Sequence, residues 1–157
     1  MPVEKDNNNI NSKTENNIII NSDWKSAIDK EVAQIQAAKY RRYDHVLMGG
    51  GRSFFFNNKN ELRQIKASIL MSAATLETDY YIQDGALIYV DRLHTDYKRS
   101  DSEGNAYKEL AKMYFQNGKM LSYTIEQAHE TTEEFLKEME ARILNEFEAF
   151  VQEAKGK

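Results

Sequence analysis

The segments Tyr80-Tyr81-Ile82-Gln83-Asp84-Gly85-Ala86-Leu87 and Met113-Tyr114-Phe115-Gln116-Asn117-Gly118-Lys119-Met120 decide the fold. In each, an aromatic run meets Asp-Gly or Asn-Gly, and a second apolar run follows. Both central residues of a type I′ turn need positive φ, which Asp, Asn and Gly tolerate, so each segment predicts a two-residue β-hairpin. A third unit, Phe54-Phe55-Phe56 followed by Asn57 to Asn60 and Leu62, repeats the layout with a longer loop. Pairing outward from Asp84-Gly85 sets Ile82 opposite Leu87, Tyr81 opposite Ile88, Tyr80 opposite Tyr89 and Glu77 opposite Arg92. Around Asn117-Gly118 the same rule sets Phe115 opposite Met120, Tyr114 opposite Leu121 and Lys112 opposite Tyr123.

One face of such a sheet carries Phe54, Phe56, Leu62, Tyr80, Ile82, Leu87, Tyr89, Met113, Phe115 and Met120. The other carries Phe55, Ile65, Tyr81, Ile88, Val90, Tyr114, Leu121 and Tyr123. A sheet with one wet face alternates apolar with polar residues, and this one does not. Burial of each such side chain is favourable by about 1.5 to 3 kcal/mol, so the second face needs a cover, either the chain's own helices or a partner.

Two helices flank the hairpins. Ser22 or Asp23 can cap the first, whose apolar positions Trp24, Ile28, Val32 and Ile35 recur at helical spacing and which should end near Tyr40. Thr131 to Glu134 fits a capping box for the second. Phe135, Met139, Ile143, Phe147, Phe150 and Ala154 then form one stripe of a long C-terminal helix. From Glu126 onward, nine acidic residues stand against four basic ones, which reads as a solvated face. Lys98 to Asn105 reads as a polar loop between the second and third hairpins.

The whole chain has 157 residues, 41% hydrophobic and 29% charged, a balance suited to one packed domain over residues 22–157. Residues 1–21, rich in asparagine and poor in core formers, read as a disordered tether. The absence of cysteine excludes disulfides, thiolate metal sites and thiol nucleophiles. Ile18-Ile19-Ile20 is the longest aliphatic run, far short of the roughly 20 residues of a transmembrane helix. A net charge of −4 supplies no general field for nucleic acid.

The two quoted hairpins resemble the Tyr-Tyr-Phe-x-Asp/Asn-Gly-Lys-Leu hairpins of uncharacterised bacterial exported proteins, many of them lipoprotein-like with an Asn- or Ser-rich spacer. The similarity spans about residues 50 to 125. It implies a periplasmic or cell-surface location, with the cytoplasm as the alternative, and lipid anchoring of a precursor. As written, the sequence shows neither a signal nor a lipid-attachment cysteine, and in this it departs from that pattern. No functional residue carries over.

His45, His94 and His129 fall in three different elements, with no nucleophile at motif spacing. His94 and Asp96 sit on one face of a strand but lack a third metal ligand. Asp101, Glu103 and Gly104 do not have the spacing of a calcium loop. Gly49-Gly50-Gly51-Arg52 lacks the Gly-Lys-Ser/Thr of a phosphate loop and reads as a connector or bulge. Carboxylate pairs such as Asp79 with Asp91, or Glu133 with Glu134, are expected by chance among 25 acidic residues. Tyr40, Arg41, Arg42, Tyr43, His45 and Arg52 form a basic, aromatic cluster that reads as a solvated strand edge.

These readings define an α+β fold, an antiparallel six-stranded meander from about Arg52 to Ile125 flanked by an N-terminal helix and a long C-terminal helix. The expected function is a non-enzymatic exported binding protein, with an aromatic sheet surface centred on Tyr81, Arg92, Tyr114 and Tyr123, for an unknown protein or small ligand. No cofactor and no metal are expected. The alternatives are a self-associating structural module, a homo-oligomer through an edge strand or the helix stripe, and a small-molecule carrier or enzyme with a helix-sheet pocket.

Overall fold

The computed structural model describes residues 23–126 and 131–157. The chain divides into two units, Met1–Gln36 and Ala37–Lys157. In the first, helix α1 spans 23–37 and carries Ile28, Val32 and Ile35 along one stripe. It ends short of Tyr40, because the chain must extend to enter a strand at Arg41. The expected tether, residues 1–21, and His129 lie outside the described residues.

The second unit is an antiparallel meander of seven strands followed by one long helix. The strands are β1 (Arg41–Leu47), β2 (Gly50–Phe56), β3 (Leu62–Leu70), β4 (Ala74–Gln83), β5 (Ala86–Ser100), β6 (Ala106–Gln116) and β7 (Lys119–Ile125), and the helix is α2 (Glu133–Ala154). Strand order in the sheet follows chain order, so each strand pairs with the one before it. The α+β class and the meander are as expected, with seven strands rather than six.

The added strand is β1. Its arginines disguise a pairing that runs along its whole length, from Arg41 opposite Phe56 to Leu47 opposite Gly50. Met48-Gly49 is therefore the turn of a hairpin, and the glycine run is not a connector. Gly50 has no alternative, since a Cβ there would lie 2.1 Å from the Ser68 carbonyl oxygen on β3. At the far side of the sheet, β5 continues through Lys98 and Arg99, which shortens the expected polar loop. What is left of it is held by the Asp101 carboxylate, which accepts from the Glu103 N–H at 2.8 Å and the Asn105 N–H at 2.9 Å.

The predicted turns form with positive φ at Asp84 (52°), Gly85 (77°), Asn117 (52°) and Gly118 (74°). Ile82 faces Leu87 and Phe115 faces Met120, as expected. One pair further on the expectation fails, because Tyr81 pairs with Tyr89 and Tyr114 with Ser122. Ile88 and Leu121 are extra residues in the returning strands, and Arg63 is the same insertion between the Phe55–Gln64 and Phe56–Leu62 pairs. These are β-bulges, each of which shifts the rest of the strand by one residue and exchanges its two faces. Tyr80 consequently pairs with Val90, Thr78 with Arg92 and Met113 with Tyr123. Ile65, Val90 and Tyr123 move to the core face, and Tyr89 leaves it.

The core face is covered by α2. Ile143 and Phe147 are buried in a cluster with Phe54, Ile65, Tyr80, Val90, Met113 and Phe115. Phe147 and Phe150 flank the Tyr80 ring at centroid distances of 6.2 and 5.6 Å. The helix starts one residue later than the expected box. The Thr132 hydroxyl accepts from the Phe135 N–H at 3.1 Å, which makes Thr132 the N-cap and leaves no Glu at the third position to reach back. Glu133 and Glu134 in the first turn favour the positive end of the helix dipole. From β7, where Phe135 meets Tyr123 edge-on at 5.5 Å, the helix crosses to β1, where the Lys157 ammonium lies 5.4 Å from the Tyr43 ring centre. Among the described residues no helix is long and apolar enough to cross a membrane.

Candidate ligand cleft between the sheet and the last helix

Three glutamates of α2 turn toward the sheet rather than into solvent, correcting the reading of that charge run as a solvated face. Glu140 accepts from the backbone N–H of Met120 at 2.9 Å. Glu146 accepts from the Tyr80 hydroxyl at 2.9 Å and pairs with the Arg92 guanidinium. Glu153 pairs with His45 and, at 3.4 Å, with Arg52. Glu146 and Glu153, seven residues apart, share one side of the helix and Glu140 sits roughly 120° around from Glu146, so the three tie both margins of the buried stripe to the strands.

Arg92 is the best held of the sheet's cations. Its Nε donates to Thr78 Oγ1 at 3.0 Å, and the side chain is 11% exposed. The paired Glu146 neutralises it inside the fold, where an unpaired charge is costly. Burial and the adjacent Glu146 push the Tyr80 phenol well above its ordinary value, so it remains a neutral donor.

Toward the start of α2 the helix and the sheet diverge, opening a cleft of about 400 Å³. Two cross-strand rows build its floor. One is Leu76, His94 and Glu109, and the other is Arg92, Ala111 and Ile125. Tyr123 of β7 closes one side. The roof comes from Phe135, Met139 and Arg142, which share a helix face at i, i+4 and i+7. The walls are mainly apolar, with an imidazole, a carboxylate and two guanidiniums set among them. Burial, reinforced by Glu109 and opposed by Arg92, raises the Tyr123 phenol and keeps it protonated. Glu109 accepts from the Tyr107 hydroxyl at 3.2 Å.

The four residues expected to form one surface are divided between the two faces. Arg92 and Tyr123 line the cleft. Tyr81 and Tyr114 stand on the opposite face, each beside Tyr89, at ring-centre distances of 5.7 and 4.9 Å. The bulges at Ile88 and Leu121 are the physical reason for the separation. His94, Glu109, Phe135, Met139 and Arg142 are cleft residues that the sequence reading did not bring together. A single bulge allowed in each hairpin would have aligned His94 with Glu109 and both with Leu76.

On the opposite face, the next row after the tyrosines is Ser53, Lys66, Asp79, Asp91 and Lys112. Two carboxylates thus face each other between two lysines. The Asp79 carboxyl is raised, chiefly by burial, with Asp91 and Glu77 adding to the shift and Lys66 opposing it. Asp91 also accepts from the Tyr89 hydroxyl at 2.6 Å. Among the described residues, no three His, Asp or Glu side chains are placed to share a metal ion.

The basic, aromatic cluster lies mostly on the edge strand β1, with Arg52 on β2, and its charged side chains are paired. Arg41 lies over the Phe56 ring at 4.4 Å and donates to the Lys157 carbonyl, and Arg42 donates to Asp44 at 2.7 Å. No family model matches the chain, and no curated protein or solved structure matches it.

Proposed function

We propose that this protein is a non-enzymatic binding protein for a small amphipathic molecule, and that the cleft between the sheet and the first half of α2 is its site. One observation carries the reading. Two strand rows and one helix face converge on a concave, mostly apolar space whose few polar groups are His94, Glu109, Arg92, Tyr123, Thr131 and Arg142. About 400 Å³ falls in the range of small-molecule sites, roughly 300 to 1,000 Å³. Phe135, Tyr123, Met139 and Ile125 suit an aromatic or branched apolar body. Arg92 is already paired with Glu146, so Arg142 at the rim is the group suited to an anionic end.

Titration with aryl carboxylates such as phenylpropionate, followed by amide NMR, tests the site. Shifts should concentrate at Arg92, His94, Ala111, Tyr123 and Met139, and Met139→Trp, which fills the space, should abolish them while the fold persists. Tyr81, Tyr89 and Tyr114 are buried and do not form the open aromatic surface expected of them, so shifts that map to them instead would overturn the cleft. The likeness of the hairpins to those of exported proteins supports a periplasmic or cell-surface location, which fractionation of the source cells tests.

A further inference from the structure

We infer that the two hairpin tips at the glycine-turn end of the sheet, Val46–Met48 and Ile69–Met71, dock this protein on a lipid bilayer by entering its interfacial layer, independently of the cleft. Six of the nine large hydrophobic residues exposed among the described ones sit on these tips. They are Met48 (104%), Val46 (83%), Leu70 (59%), Ile69 (50%), Met71 (48%) and Leu47 (40%). Scattered exposed apolar residues are ordinary, whereas a contiguous group marks an interaction surface. Here the group is contiguous. Gly50 pairs with Ile69, the Leu70 N–H donates to the Gly49 carbonyl at 2.7 Å, and the lack of a Cβ at Gly50 lets the two tips press together.

Charge and hydrogen bonding point to lipid as the occupant. Residues 46–51 and 67–76 contain no charged side chain, in a chain whose composition is 29% charged. A protein partner is ordinarily met with a polar rim and about one hydrogen bond per 100 to 200 Å². These tips offer only the hydroxyls of Ser68, Ser72 and Thr75 for that purpose. Their backbones are tied to one another, including the Met71 N–H to the Ala74 carbonyl at 2.8 Å, as an apolar medium demands. The nearest basic side chains below the β1–β2 tip, His45 and Arg52, both pair with Glu153, and of the basic residues on β5 at this end Arg99 lies over the Tyr107 ring. The driving force is therefore apolar burial, insensitive to salt.

Flotation of the full chain with phosphatidylcholine vesicles, with and without added phosphatidylserine, tests the inference. The unaltered protein should float with neutral vesicles and be held equally well in high salt. A Met48→Asp, Leu70→Asp double variant should lose about tenfold or more in partitioning, with an unchanged melting temperature because both positions are exposed. Absence of flotation, equal flotation of the variant, or flotation that needs phosphatidylserine and disappears in salt would overturn the inference. So would a dimer that the double variant breaks in the absence of vesicles, since the tips would then be meeting a second copy of the chain.

Discussion

The two faces of the seven-stranded sheet are built from the same alternating strands, yet one is an apolar core under a helix and the other grades from buried aromatic rings into charges. On the α2 side, the row through Phe54, Ile65, Tyr80, Val90 and Met113 is apolar from β2 to β6, and Ile143 and Phe147 close over it. On the reverse side, a row of Phe55, Gln64, Tyr81, Tyr89 and Tyr114 gives way within two residues to Ser53, Lys66, Asp79, Asp91 and Lys112. Strand propensity is common to both faces, so it does not account for the difference. What differs is where the fold puts its charges. The core side admits Arg92 only with Glu146 across from it, whereas the reverse side sets carboxylate against carboxylate.

The sharpest way to break this contrast is to hollow the helix-covered face. Phe147→Ala should cost roughly 3 to 5 kcal/mol, measured by denaturant unfolding, because the ring is 4% exposed and packed against Tyr80. A loss below 1 kcal/mol would mean that α2 is not the cover of this face. Glu146→Ala should cost about 2 kcal/mol by leaving Arg92 unpaired. That is less than the roughly 3 to 5 of a fully buried pair, because Glu146 keeps 33% exposure. Arg92→Met combined with Glu146→Ala should recover much of the loss, which a purely steric role of Glu146 would not allow.

Thr132→Ala should cost about 1 kcal/mol by removing the acceptor for the Phe135 N–H, with fraying visible in hydrogen exchange of the first turn of α2. The smallest effect has the opposite sign and belongs to the reverse face. Asp79 has its carboxyl raised in the folded chain, so the native state holds the proton more tightly than the unfolded one. Stability therefore declines as pH rises from the unfolded value through the folded one, and the full penalty is present at neutral pH. Asp79→Asn should gain about 0.5 kcal/mol at pH 7, and its unfolding curve should converge on that of the original protein in acid. A variant less stable at every pH would show that Lys66 outweighs Asp91 and burial at this position.

Much of the fold was legible because turn chemistry is local. Asp84-Gly85 and Asn117-Gly118 specify their hairpins through φ alone, and the stripe from Phe135 to Ala154 specifies its helix through spacing. The faces were not legible beyond the turns. The extra residue at Arg63, Ile88 or Leu121 does not disturb hydrophobic content and leaves no mark in a two-residue period. Strand β1 was obscured by its own composition, since Arg41, Arg42 and His45 resemble a solvated edge until their partners Asn60, Asp44 and Glu153 are in place. Of the expected surface residues, Arg92 and Tyr123 line the cleft. The other cleft residues belong to strands and a helix far apart in the chain, and only the bulged register and the helix path bring His94, Glu109 and Arg142 together.

The diagonal course of α2 also has a meaning for synthesis. The helix follows all seven strands in the chain, yet its end reaches back to β1 and β2 through Glu153 and the Lys157 carbonyl. A ribosome that has released every hairpin still holds the element that closes them, and until the helix emerges the nascent sheet keeps its greasiest side bare. Premature stop codons just upstream of Glu133 should therefore yield aggregates or chaperone clients rather than a smaller soluble product.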